Sequence, residues 1–240
     1  MLSAYWRAFC SGRFEILANI REAIELWLAV KSRRCFEDLE VLAQKNHAGS
    51  TERLCMSTGT PQGRRELMAL MALLRSKPRS PRIRPLVEQL ERDQPANLEA
   101  DGSKLRGVWE LRWSSSSQPW LMQGAVVENL QVLDPAANRG MNLLRLNGPL
   151  GAVAAISVVA HLEVVGEQRV NVRFERGGWI GPRLGSFRPE LMAKVAQRFP
   201  AWLDITYLDD WLRLCRGNAG TVFALIRRLD LTPEQLLPEQ

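Results

Sequence analysis

Between residues 202 and 228 the chain reads WLDITYLDDWLRLCRGNAGTVFALIRR, which places carboxylates, guanidiniums and a thiol within one short stretch. Asp204, Asp209 and Asp210, with Arg213 and Arg216 close behind, are residue types suited to acid–base chemistry or to holding an ion. Cys215 adds a thiol, but no histidine or lysine in the stretch can draw off its proton, so a nucleophilic mechanism lacks its base. Paired aspartates beside a turn also have a plainer use, which is to accept hydrogen bonds from turn amides. Elsewhere the chain offers only two histidines, His47 and His161, and four cysteines, Cys10, Cys35, Cys55 and Cys215, none in CxxC spacing. That pattern fits free thiols in a reducing compartment, and neither a metal nor a cofactor is expected.

The elements around these residues are strands. Leu203, Ile205 and Tyr207 alternate with Asp204 and Thr206, and Leu212, Leu214 and Arg216 alternate with Trp211, Arg213 and Cys215. With a two-residue Asp209-Asp210 turn and the Gly217–Gly220 turn, this predicts a three-strand meander. The same two-residue period begins near residue 105, where Trp109, Leu111 and Trp113 alternate with Glu110 and Arg112. Further strands are expected over 120–133, 141–146, 152–165, 168–175, 202–208, 211–216 and 221–227. Turn signals separate them, among them Asp134-Pro135, Asn138–Gly140, Gly166-Glu167 and Gly177-Gly178. Pro189–Arg198 reads as a short helix or loop over one end. His161, in the run AVAAISVVAHLEVV, is placed at the rim or facing outward.

Before residue 100 the period is 3.6. Ile16, Ile20, Ile24, Trp27 and Leu28 form an amphipathic stripe, residues 44–63 read as a linker, and helices are expected from Arg64 to Arg75 and from Pro85. The resulting division is a helical extension and linker over 1–60, a helical segment over 61–100 that packs on the strands, and an antiparallel β-barrel over 101–232. A natural start at Met56 is one expectation for the first part.

The composition, 46% hydrophobic and 24% charged, is that of a globular protein, and no apolar run approaches the roughly 20 residues of a membrane-spanning helix. The net charge is +6, and its excess lies at Arg75, Lys77, Arg79, Arg82 and Arg84, with no acid among them. Such a run suits anionic lipid headgroups or, less well supported, nucleic-acid phosphates; it also reads simply as a solvated Pro/Arg linker.

The stretch 202–228 closely resembles the C-terminal signature of the plastid lipid-associated proteins, also called fibrillins or plastoglobulins. Leu203, Asp204, Thr206, Tyr207, Leu208, Asp209, Leu212, Arg213, Arg216, Gly217 and Gly220 match its pattern, and Gly107 and Trp109 match the family's Gly-x-Trp opening. Trp211 and Cys215 depart from it, at positions read as neutral on a barrel exterior. The resemblance implies a mainly β, lipocalin-like antiparallel barrel preceded by helices. It implies binding of small isoprenoid or acyl lipids, such as quinones and carotenoids, at thylakoid membranes or lipid particles, without enzymatic activity.

On that basis the ligand-contacting candidates are Trp109, Leu111, Trp113, Tyr207 and Arg216, with Arg216 or Arg227 lying over Trp109. The membrane-facing candidates are Arg75, Lys77, Arg79, Arg82 and Arg84. The expected partners are a lipophilic ligand and a membrane surface, with no nucleic acid. The expected place is a cyanobacterial cytoplasm in contact with thylakoids, or alternatively a plastid. A structural or interaction module whose barrel is filled by its own side chains competes with the carrier; an enzyme acting on a lipid or nucleotide ranks below both, because no nucleophile, base and orienting group assemble.

Overall fold

A computed structural model describes residues 61–116, 127–146, 155–181, 189–196, 200–218 and 220–238. The expected helix and linker over 1–60 lie outside the described residues. Two helices open the described chain, α1 (Pro61–Ser76) and α2 (Ile83–Asp93). Leu67, Leu70, Met71 and Leu74 recur at three- and four-residue spacing on α1, as do Ile83, Val87 and Leu90 on α2, and all are buried. A one-turn helix α3 (Leu98–Asp101) follows, capped by Asn97, whose side chain accepts from the Glu99 and Ala100 amides at 3.0 and 3.2 Å. The chain then turns through a 3₁₀ segment, Gly102–Leu105, into the sheet.

Nine strands make that sheet: β1 (Gly107–Ser114), β2 (Val127–Asp134), β3 (Arg139–Leu146), β4 (Ala155–Val165), β5 (Arg169–Ile180), β6 (Glu190–Lys194), β7 (Ala201–Leu208), β8 (Leu212–Gly217) and β9 (Val222–Arg227). All pairings are antiparallel, and β1, β2, β3, β4, β5, β7, β8 and β9 pair in succession until β9 meets β1 again. The sheet is therefore a ring, closed as a barrel is closed. β5 carries three partners: β4 along its length, β7 on Arg169–Val172, and β6 on Arg176–Ile180.

Directly paired residues share a face, which sorts the side chains. Trp109, Gln131 and Asn142 face one way, and Val108, Val132, Met141 and Val159 the other. Arg213 on β8 touches Gln131 on β2 although β9 and β1 separate those strands, so the Trp109 face is the interior of the ring. Outside, α1 and α2 cover Tyr207, Leu212, Leu214, Val222, Ala224 and Ile226. The C-terminal segment, with its short helix α4 (Pro233–Leu236), sets Leu231, Leu236 and Leu237 against Val108, Leu130, Val132, Met141 and Leu143.

Four expectations are corrected. Glu190–Lys194 is a strand and not a helix or loop: the second half of β5 lacks β7 as a neighbour and takes β6 instead. Gly177-Gly178 lies inside β5 and not in a turn, since a Cβ on Gly178 would collide with the Leu191 carbonyl across the β5–β6 ladder. The turn before β8 is three residues long, not two. Finally, Tyr207 does not share a face with Leu203 and Ile205, because a bulge between Ile205 and Tyr207 reverses the alternation.

Candidate functional site

One end of the ring is plugged. Trp109 is fully buried, and its indole Nε1 donates to the Leu105 carbonyl at 2.9 Å. The Arg227 guanidinium lies over the indole, 4.3 Å from its centre, a contact worth roughly 0.5–2 kcal/mol. Arg227 is held there by carbonyls: Nη1 donates to Arg106 at 2.6 Å, Nε to Asp210 at 2.7 Å, and Nη2 to Lys104. Gly107 makes the approach possible, because its φ of +149° and the clash of any Cβ with Arg227 Nη1 leave glycine as the residue that fits. Ala96, Leu98 and Leu105 complete the plug from below.

Deeper in the ring the side chains are apolar, with Leu111, Leu162, Val170, Ile205, Cys215 and Leu225 clustered with Trp109. Among them is a full charge. Arg213 has no exposed surface, and its guanidinium sits 5.2 Å from the Trp109 ring centre. Nη2 donates to the Gln131 side-chain carbonyl, while Nε and Nη1 have no hydrogen-bond partner among the described residues. Burial pushes its pKa down to about 10, with the neighbouring Arg227 charge acting in the same direction. Polar residues lead away from it: Gln131 is half-buried, and Asn142, its cross-strand partner on the same inner face, is exposed to solvent.

Trp109 and Leu111 are thus brought together inside, as expected. Trp113, Tyr207 and Arg216 are not. A bulge between Leu111 and Trp113 turns Trp113 toward the helical layer, where Arg84 lies 5.9 Å from its ring. Tyr207 is packed beneath the same helices, its hydroxyl donating to Asp209 Oδ2 at 2.7 Å; burial and the Asp209 charge push the phenol far up. Arg216 faces α2, donating from Nε to Glu91 Oε1 at 3.1 Å and from Nη2 to Glu91 Oε2, and Thr206 Oγ1 donates to the same carboxylate at 2.7 Å. The arginines over Trp109 are accordingly Arg227, as expected, and Arg213 in place of Arg216.

Asp209 serves the turn, as its plainer reading held: Oδ1 accepts from the Trp211 and Leu212 amides at 2.7 and 2.6 Å. Asp204 takes both Arg169 donors at 2.8 and 2.9 Å. Of the remaining signature residues, Leu203 and Leu208 join the inner cluster, and Gly217 ends β8 beside Phe223. Cys215 is inside the ring and not on its exterior, and burial pushes its thiol up, away from the reactive thiolate. Trp211 packs half-buried against the helical layer. His161 pairs in register with Arg139 and Arg173 on the outer face, in keeping with an outward position. Arg75, Lys77, Arg79, Arg82 and Arg84 are all exposed around the α1–α2 turn.

Sequence reasoning passed over Arg213, Gln131 and Asn142 as interior residues. Their signal was present, since Gln131 and Asn142 are polar positions opposite Leu130, Val132, Met141 and Leu143 in period-two strands. It could not be read without knowing which face was the inner one.

No helix of the described residues is long and apolar enough to cross a membrane. No solved structure matches the chain. A "Light-induced protein, chloroplastic" of Solanum tuberosum is 28% identical over 190 residues, covering 59% of this chain and 58% of that protein. A "Probable plastid-lipid-associated protein 2, chloroplastic" of Arabidopsis thaliana is 28% identical over 193 residues, 60% and 62% of the two chains. A "Chromoplast-specific carotenoid-associated protein C1, chromoplastic" of an Oncidium hybrid cultivar is 25% identical over 194 residues, 60% of each. The chain thus spans about three fifths of the length of these relatives, whose names place them in plastids. The PAP_fibrillin family model matches residues 71–226, well over half of the sequence, and the chain belongs to that family.

Proposed function

We propose that the protein is a non-enzymatic carrier of a small lipophilic molecule, an isoprenoid quinone, a carotenoid or an acyl lipid, held in the ring and delivered or protected at a membrane or lipid-particle surface. The observation that carries this reading is the interior itself: apolar walls sealed at one end by Trp109 and Arg227, with solvent reaching the inner face at Asn142. The names of the carotenoid- and plastid-lipid-associated relatives point the same way. The exposed arginines and lysine of the α1–α2 turn suit anionic headgroups, each contributing on the order of 1 kcal/mol near such a surface. Thylakoid contact, in a cyanobacterium or a plastid, is the proposed setting. Cys215 is buried and its thiol is pushed up, away from the reactive thiolate, which suits a carrier better than a thiol enzyme.

A second reading, an interaction module whose ring is filled by its own side chains, is favoured by the complete burial of Trp109, Leu225 and Arg213. Lipid extraction of the full chain purified from its native cells decides between them. The carrier reading expects a stoichiometric quinone, carotenoid or acyl lipid in the extract; an extract free of such molecules, with no saturable binding when they are added back, supports the filled module.

A further inference from the structure

We infer that the ring selects amphiphiles carrying a carboxylate, and that Arg213 is the group that receives it. This rests on the carrier reading and names the class of ligand. The ring holds a charge with no counterpart among the described residues. Arg213 is fully buried, and among the described residues its Nε and Nη1 are unpartnered and its single hydrogen bond goes to the neutral Gln131 amide. An aromatic ring 5.2 Å away offsets part of the burial but supplies no acceptor for either nitrogen.

The nearest charge interactions on Arg213 come from Cys215, itself held as a thiol by burial, and from Arg227, which repels. Arg227 has no such vacancy, since all three of its nitrogens donate to backbone carbonyls. The plug is therefore complete without Arg213. A guanidinium presents paired donors that match a carboxylate better than any neutral head, and the match strengthens where water is excluded.

The route and the tail also fit. Asn142, Gln131 and Arg213 grade from exposed through half-buried to buried on the inner face, so polar groups line the approach that a polar head would take inward. Phe223 and Leu225 on the neighbouring β9, and Leu111 on β1 beyond it, offer apolar surface for a chain. A neutral isoprenoid fills the same wall and leaves the two nitrogens unpaired, a costly outcome for a buried charge.

The test is equilibrium binding of tritiated palmitate and tritiated methyl palmitate, below their aggregation limits, to the full chain and to Arg213→Met, Arg213→Gln and Arg216→Met. Palmitate is expected to bind the unmutated chain at least about tenfold more tightly than its ester. Both Arg213 variants should bring palmitate to the level of the ester without weakening the ester, and Arg216→Met should keep the preference. Equal binding of acid and ester by the unmutated chain, which needs no variant to fold, overturns the assignment and leaves the carrier reading standing. A preference that survives Arg213→Met overturns it equally. Binding of neither compound, nor of a quinone or carotenoid, sinks the carrier reading along with it. Arg213→Met should also raise the urea midpoint of the ligand-free chain, since it removes a charge that nothing neutralises.

Discussion

Arg213 and Arg216 stand three residues apart on β8 and live in opposite surroundings. Outside the ring, Arg216 shares Glu91 with Thr206, and a second set of charges runs along the neighbouring strands. There Arg228 donates to Glu128 at 2.7 Å, to Glu110 at 3.3 Å and to Asp230 at 2.8 and 2.7 Å, while Arg145 donates to Glu128 at 2.6 Å. Inside, Arg213 has no carboxylate partner among the described residues. These outer charges are paired with residues of the chain itself, so their role is complete in the folded protein. The inner face keeps a donor in reserve, so the difference between the two faces separates what holds the fold from what remains to be bound.

Substitutions can widen or erase that contrast. The largest loss is expected from Trp109→Ala, about 4 kcal/mol by urea denaturation, because it removes both the plug and the ring beneath two guanidiniums; a loss under about 1 kcal/mol would mean the plug is not the core of the inner face. Glu91→Ala should cost roughly 2 kcal/mol, since it unlaces α2 from β7 and β8 and strands the Thr206 hydroxyl. Arg216→Ala should cost less, below about 1 kcal/mol, as that side chain is 41% exposed. Hydrogen exchange of the α2 amides would localise both effects.

Acid should act on the outer layer next. Burial pushes the Glu128 carboxyl up, but Arg228 and Arg145 outweigh it and hold the group below the usual glutamate range. A depressed acid stabilises above its unfolded value, and that contribution is lost as pH falls through its folded one. The stability gap between the unmutated chain and Glu128→Gln, about 1 kcal/mol near neutrality, should therefore shrink as pH drops below the glutamate range. A gap that is constant from neutral to acid pH would remove Glu128 from the account. The smallest effect belongs to Arg169→Gln: Arg169 is 46% and Asp204 27% exposed, so only a small fall of the urea midpoint, below that of Arg216→Ala, should go with the pair and with the 4.1 Å contact over the Trp202 ring, and a fall as large as that of Glu91→Ala would show the pair to be more than decorative.

Much of this arrangement was legible in the residues. The two-residue period from Gly107 onward marks the strands, the family resemblance carried by Gly107 and Trp109 implies an arginine over the indole, and Asp209 reads as a turn residue because its short carboxylate reaches amides two and three positions on. What could not be read has a common physical origin. β8 is buried on both faces, with Leu212 and Leu214 under helices and Arg213 and Cys215 inside the ring, so apolar alternation does not say which side is the interior. Bulges then reverse Tyr207 and Trp113, and a bulge has no residue type that announces it. β6 escaped notice because its side chains are mostly exposed and show no period; only the unfilled edge of β5 calls for it.

That edge has a mechanical consequence. At the level of Arg169–Val172 the circumference is laced all the way round by ladder hydrogen bonds, whereas at Arg176–Ile180 the lacing ends on β6, which has no further strand partner among the described residues. The molecule is thus a collar fastened at its base and unfastened above. The base keeps a fixed girth, whereas the upper wall ends, among the described residues, on the outer edge of β6.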